Sequence, residues 1–232
     1  MDILTFNGQS FRDYGCYFDG SQLFSTPSKD ISFYSVPGKN GDLSISNDRF
    51  QNITRNINCF IRENFTSNFP SLMNYLLSQD GYGRLESTKE PDIYMMAQFV
   101  DSIEPTTGAF LKYGSFTLTF NFKPQKWLKS GENPITVTTG ATLVNPSLMP
   151  SKPLIEVVGT GSITIGTSVL ALATNTSTTI IDCEMEDAYE GTINRNPNLT
   201  VTNGFPTLVS GNNSITISGF TSVKITPRWW RL

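Results

Sequence analysis

Between residues 116 and 122 the chain alternates strictly, with Phe116, Leu118, Phe120 and Phe122 on one parity and Thr117, Thr119 and Asn121 on the other. Residues 51–62 repeat the pattern: Ile53, Ile57, Cys59 and Ile61 oppose Asn52, Thr54, Asn56 and Asn58, interrupted only by Arg55. Successive side chains of an extended strand point to opposite faces, so a period of two predicts strands with one buried face. A helix would scatter the same residues around its circumference. Burying one Phe side chain contributes about 1.5–3 kcal/mol, so the Phe116–Phe122 alternation is expected to anchor a core. Cys59 falls on the apolar parity and reads as a packing residue, not a nucleophile.

Around these two segments the chain reads as β-structure with one helix. The aromatic N-terminal stretch (Phe6, Phe11, Tyr14, Tyr17, Phe18, Phe24) is punctuated by Gly8, Gly15 and Gly20 into short strands. Residues 64–68 read as a loop. Phe69, Leu72, Met73 and Leu76 then recur at helical spacing, with Asn68 as cap, Pro70 in the first turn and Gly81 as terminator, which predicts a helix near 69–79. So short a stripe must lie on a sheet. Further strands are expected at 82–87, 93–103 and 109–123. Residues 129–134 have linker composition. Beyond them aromatics thin out and Thr, Ser, Gly, Ile and Val dominate. Short candidate strands at 135–138, 154–158, 162–165, 168–171, 178–182, 199–202, 214–218 and 222–226 predict an antiparallel β-sandwich. Two domains follow, 1–130 carrying the helix and 131–232, and the fold class is all-β.

One stretch stands apart. Val36, Pro37, Gly38, Lys39, Asn40, Gly41, Asp42 and Leu43 pack two turn signals together. Pro37-Gly38 suits the centre of a type II turn, and Asn40-Gly41 suits a type I′ turn, in which both residues take positive φ. Apolar residues flank them: Ile31, Phe33, Tyr34 and Val36 before, Ile45 and Phe50 after. The bland reading is a surface hairpin. The sharper one is a β-arm over residues 31–50 that reaches beyond its own domain.

The 232 residues are 38% hydrophobic and 16% charged, a balance of folded and not disordered chains. No apolar run approaches the roughly 18 residues of a membrane span, and Met1-Asp2-Ile3-Leu4-Thr5 does not open a signal peptide, so cytoplasmic synthesis is expected. The net charge of −3 offers no cationic stripe for a nucleic acid backbone. Three cysteines, Cys16, Cys59 and Cys183, are too few and too dispersed for a disulfide framework or zinc knuckle. The absence of histidine removes Ser-His-Asp and Cys-His catalysis. A carboxylate pair among Asp182, Glu184, Glu186 and Asp187 could in principle serve a glycosidase or a weak Ca²⁺ site. Continued strand alternation through residue 186 would instead place those acids on a solvated edge. Gly159-Thr160-Gly161 lacks the following helix of a phosphate loop. Arg228-Trp229-Trp230-Arg231 could stack sugars or bases, but as the end of a terminal strand its rings are expected in the core or at a subunit contact. No cofactor and no metal are expected.

Several segments together resemble the distal tail (Dit) proteins of long non-contractile-tailed bacteriophages. They are Tyr14-Gly15-Cys16-Tyr17-Phe18-Asp19-Gly20, the Val36 to Leu43 stretch, Asn74-Tyr75-Leu76-Leu77-Ser78 with Gly81-Tyr82-Gly83-Arg84-Leu85-Glu86, and Phe122-Lys123-Pro124-Gln125-Lys126-Trp127-Leu128. Late in the chain Gly204-Phe205-Pro206-Thr207-Leu208, Gly211-Asn212-Asn213 and Pro227-Arg228-Trp229-Trp230 also match, in the family's order. The resemblance implies a β-sandwich-like N-terminal ring domain and a galectin-like, carbohydrate-module-like C-terminal sandwich. It implies a homohexameric ring at the virion tail tip, single or stacked, with a channel for DNA. Its implied partners are the tail tube protein, the tail-associated lysin or fibre hub and, in some phages, receptor-binding proteins. Neither specific nucleic-acid binding nor membrane insertion is implied, and no enzymatic activity. The alternative is a cell-wall saccharide-binding module used in adsorption; galectin-type sugar sites use a histidine, which this chain lacks.

Overall fold

A computed structural model describes residues 2–19, 25–173 and 177–232. Gly20 and Phe24 of the aromatic N-terminal stretch lie outside the described residues. The chain forms two compact units, Met1–Lys126 and Trp127–Arg231, and is mainly β-structure throughout.

The first unit contains β1 (Leu4–Phe6), β2 (Gln9–Ser10), β3 (Cys16–Phe18), β4 (Lys29–Ser35), β5 (Asp42–Phe50), β6 (Ile53–Ile61), α1 (Phe65–Leu77), β7 (Gly83–Ser87), β8 (Ile93–Phe99), β9 (Thr106–Thr107) and β10 (Gly114–Leu128). One sheet runs in the order β2-β1-β7-β8-β10-β6-β3. Asp2, at the start of the chain, bridges Phe18 of β3, so the sheet curls until its two sides meet. Where the sequence suggests a sandwich-like unit, both walls of the core come from this single curled sheet. The two alternating segments are neighbours in it: β6 and β10 run antiparallel with Phe116 opposite Cys59 and Leu118 opposite Ile57. Phe116, Leu118, Phe120 and Phe122 are all buried, with Phe6 and Phe99 each set edge-on to Phe120 at 5.7 and 5.6 Å. The odd residue of β6, Arg55, is buried too. Its guanidinium carbon lies 4.9 Å from the Phe122 ring centroid and Nη2 donates to the Ser25 carbonyl at 2.7 Å.

Helix α1 begins four residues earlier than the spacing predicts and ends at Leu77. Of the expected loop at 64–68, residues 65–68 are therefore helical, and Pro70 sits inside the helix instead of in its first turn. The cause is Phe65: it is buried, stacks on Phe69 at 5.0 Å, and Phe69 in turn meets Phe116 edge-on at 5.1 Å. That aromatic packing stabilises an extra turn that local propensity does not favour. Asn68 donates to the Glu63 carbonyl and does not cap; Asn64 is the N-cap. Ser78, not Gly81, is the C-cap.

The second unit contains β11 (Ile135–Thr136), β12 (Thr142–Asn145), β13 (Leu154–Val158), β14 (Gly161–Ile165), β15 (Ser168–Leu172), β16 (Thr178–Asp182), β17 (Asp187–Glu190), β18 (Ile193–Asn194), β19 (Leu199–Thr202), β20 (Gly211–Ser218), β21 (Ser222–Thr226) and β22 (Trp230–Arg231). Two sheets, β11-β21-β13-β16-β17-β18 and β12-β20-β14-β15-β19, enclose one core. Ile155, Val157, Ile181, Val223 and Ile225 come from the first sheet, and Ile163, Ile165, Leu170, Leu172 and Ile215 from the second. The unit is a β-sandwich. Residues 129–134 are no free linker: Lys129–Gly131 is a 3₁₀ turn, and the Gly131 carbonyl accepts from Arg228 N at 2.9 Å. A β-carbon at Gly131 would lie 2.3 Å from the Trp229 nitrogen, so only glycine fits that approach.

Candidate functional site

Strands β4 and β5 form a two-stranded sheet of their own. Their pairs run Ile31 to Ser46, Ser32 to Ile45, Phe33 to Ser44, Tyr34 to Leu43 and Ser35 to Asp42. Directly opposed residues share a face. One face therefore carries Ile31 and Phe33 with Ser44, Ser46 and Asp42, and the other carries Tyr34, Leu43 and Ile45. Both are open: Phe33 is 66% exposed, Tyr34 55% and Leu43 52%, and Ile31, Val36 and Ile45 are exposed as well. In the rest of this unit the alternating strands place such residues inside. A lone two-stranded ribbon is marginal in water, and among the described residues no other strand pairs with either edge of this one.

The tip and base of the ribbon are held by short-range chemistry. Lys39 N donates to the Val36 carbonyl at 3.1 Å across Pro37-Gly38, and Gly38 has φ of 79°, a type II turn as the sequence predicts. The type I′ turn expected at Asn40-Gly41 does not form. Gly41 takes φ of 82° but Asn40 does not enter the positive region, because a six-residue tip between Ser35 and Asp42 leaves no two-residue loop to build. At the base the register shifts between Lys29 and Ile31, where Asp48 has φ of 51°. There Arg49 Nε donates to Asp30 Oδ2 at 2.5 Å, and Gln51 N donates to the Ser28 carbonyl at 2.9 Å. The Arg49 hydrogen bond holds the Asp30 carboxyl below its ordinary value, against an opposing effect of desolvation. Asp30 and Arg49 are nineteen positions apart. Only the register of the bulge brings them together, and no sequence spacing signals them.

Each of the other candidates has a structural role. Residues 183–186 do not continue a strand; they turn between β16 and β17. Asp182 causes the turn: its Oδ1 accepts from the Glu184 and Met185 nitrogens at 2.9 and 3.3 Å. Both its oxygens also accept from Arg228, at 2.8 and 2.9 Å, a bidentate pair. Desolvation raises the Asp182 pKa, but Arg228 and the two backbone donors outweigh it and hold the carboxyl below its ordinary value. Asp187 accepts from Asn196 at 2.6 Å. The acids thus build a hairpin and anchor the C-terminal segment; they do not converge on a substrate space. A β-carbon at Gly161 would lie 2.3 Å from the Ser218 carbonyl oxygen, so glycine there serves close packing and not a phosphate cradle. Trp229 is buried in the sandwich core, and Trp230 Nε1 donates to the Pro150 carbonyl at 2.8 Å. Cys16, Cys59 and Cys183 are buried free thiols; burial pushes the Cys183 pKa up to about 12, far from a thiolate nucleophile. Among the described residues no group of three or more Cys, Asp or Glu is placed to hold a metal ion, and no helix is long and apolar enough to cross a membrane.

No family model matches the sequence, and no curated protein is significantly similar to it. Solved structures are. The crystal structure of the Dit protein of phage SPP1, described as a paradigm of the hub adsorption apparatus of phages infecting Gram-positive bacteria, superposes with a TM-score of 0.71 at 15% identity and covers 100% of both chains. A chain of the phage P2 baseplate in its activated conformation with calcium gives 0.52 at 10% identity over 97% of each chain. The strontium form of that baseplate gives 0.52 at 11% identity over 100% of this chain and 98% of its own. From end to end, the chain has the fold of a phage tail hub protein.

Proposed function

We propose that this chain is a structural protein of a phage tail tip, closing head to tail into a six-membered ring with the ribbon of residues 31–50 as its inter-subunit arm. Val36 to Leu43 form the tip of that arm and the first two residues of its second strand. One observation carries the reading: on a fold matched along its whole length by a tail hub protein, the ribbon leaves six large apolar side chains uncovered on two faces. Contacts between two different surfaces of like subunits close into a ring when the rotation permits. The ring would join the tail tube to the lysin or fibre hub, hold receptor-binding proteins where a phage uses them, and pass DNA through a channel that does not grip it, consistent with the net charge of −3. The outward galectin-like role of the second unit belongs to the same proposal, and a glycan array probes it.

Light scattering with negative-stain imaging is the test. The intact protein should reach the mass of a closed ring with six-fold averages. A variant with residues 31–48 replaced by a short Gly-Ser linker should stay folded and monomeric. A wild-type protein that remains monomeric at high concentration and is absent from virion tails would overturn the proposal.

A further inference from the structure

At the end of β6 opposite the ribbon, the surface of the first unit opens into a groove of about 600 Å³. Phe60, Ile61 and Arg62 line one wall, and Thr107, Gly108 and Tyr113 line another. Phe60 stacks on Tyr17 at 5.7 Å, and the Arg62 guanidinium carbon lies 5.8 and 5.9 Å from those two ring centroids. Tyr113 is an exposed aromatic. Among the described residues no ion pair is formed by Arg62. The same is true of Asp42, which shares its ribbon face with Phe33 and Ile31. The groove thus offers aromatic walls and an unpaired cation, and the ribbon face offers an aromatic ring, an aliphatic side chain and an unpaired anion.

We infer that the Phe33 face of one copy's ribbon seats in the Phe60-Tyr113 groove of the next copy, with Asp42 paired to Arg62. This rests on the ring reading above and names the surface it leaves open. Ribbon and groove stand at the two ends of one nine-residue strand, Ile53 to Ile61, about 27 Å apart along it. Phe33 and its neighbours are exposed, so the ribbon does not enter the groove of its own chain. Donor and acceptor surfaces at opposite ends of one strand make the contact heterologous, as ring closure requires. Charge pairing at such a contact sets register and partner choice.

Two measurements on the intact protein test the contact. In the first, a charge swap is read by sedimentation. Asp42→Arg and Arg62→Asp should each weaken self-association roughly tenfold, and the double variant should recover most of it. In the second, Phe33→Cys with Thr107→Cys should form a disulfide between copies on mild oxidation; the three native thiols are buried and do not compete. Self-association that persists with no cross-link and no charge rescue overturns the groove contact and leaves the ring standing. A wild-type chain that does not self-associate overturns both.

Discussion

Gly38 and Gly41 hold φ of 79° and 82° with no atom within 4 Å of where a β-carbon would sit, so their requirement is conformational and not steric. A β-branched residue at such a φ costs about 1–3 kcal/mol. Gly38→Val with Gly41→Val should therefore disorder the ribbon tip and abolish ring formation while leaving the far-ultraviolet circular dichroism of the two cores unchanged. Rings seen by electron microscopy in that variant would separate the tip from assembly. Asp182 and Arg228 are a different case, since their chemistry is inward. The Asp182 carboxyl titrates lower folded than unfolded, so its stabilisation is present above the ordinary value of 3.8 and is lost as pH falls through the lowered folded value. Acid titration followed by Trp fluorescence should show the second unit weakening below about pH 4, and Asp182→Asn should flatten that dependence. Arg228→Ala removes a bidentate charged hydrogen bond and should cost about 1.5–3 kcal/mol in denaturant unfolding.

At the scale of the element, α1 and the ribbon show tertiary contacts working in opposite directions. The helix keeps Pro70 in its interior, where the ring removes a backbone donor and crowds the carbonyl of Thr66. It persists because Phe65, Leu72 and Leu76 are buried beneath it. Pro70→Ala should stabilise the first unit by about 1–3 kcal/mol in urea titration, since it restores the donor without touching the packing. Phe65→Ala should do the reverse by about 3–5 kcal/mol and fray the helix back towards Phe69. The ribbon is the converse, with strong local turn chemistry at its tip, an ion pair at its base and no core at all. Its order within a single subunit rests on backbone pairing, the turn at its tip and the Asp30–Arg49 pair at its base.

For the molecule as a whole, the two hydrophobic cores are separate sets of residues, one led by Phe116, Leu118, Phe120 and Phe122 and the other by Ile155, Val157, Ile181 and Ile225. Calorimetry should resolve two transitions, with Leu72→Ala lowering only the first-unit transition and Ile181→Val only the other. A single transition shifted by both substitutions would show that the cores unfold as one. Assembly adds a third level. If the ring forms through the ribbon, the first-unit transition should rise with protein concentration, because only the folded subunit can bind its neighbour.

What the sequence determined by itself follows from short-range rules. Alternation made β6 and β10 strands with known inward faces, because side-chain direction in an extended chain depends on parity alone. Pro37-Gly38 specified its own turn through two backbone dihedrals. The ordered motifs pointed to the hub fold that the SPP1 Dit protein displays. Only the tertiary structure decided where Phe65 would go, that Asp182 would turn the chain and bind Arg228, that Asn40 would stay out of a tight hairpin, and that Asp30 would meet Arg49. Each of those depends on a partner far away in sequence, reached only once sheet register is set. The exposure of Phe33 and Tyr34 is of the same kind: pattern marks them as apolar, and only the fold shows that they stand in the open.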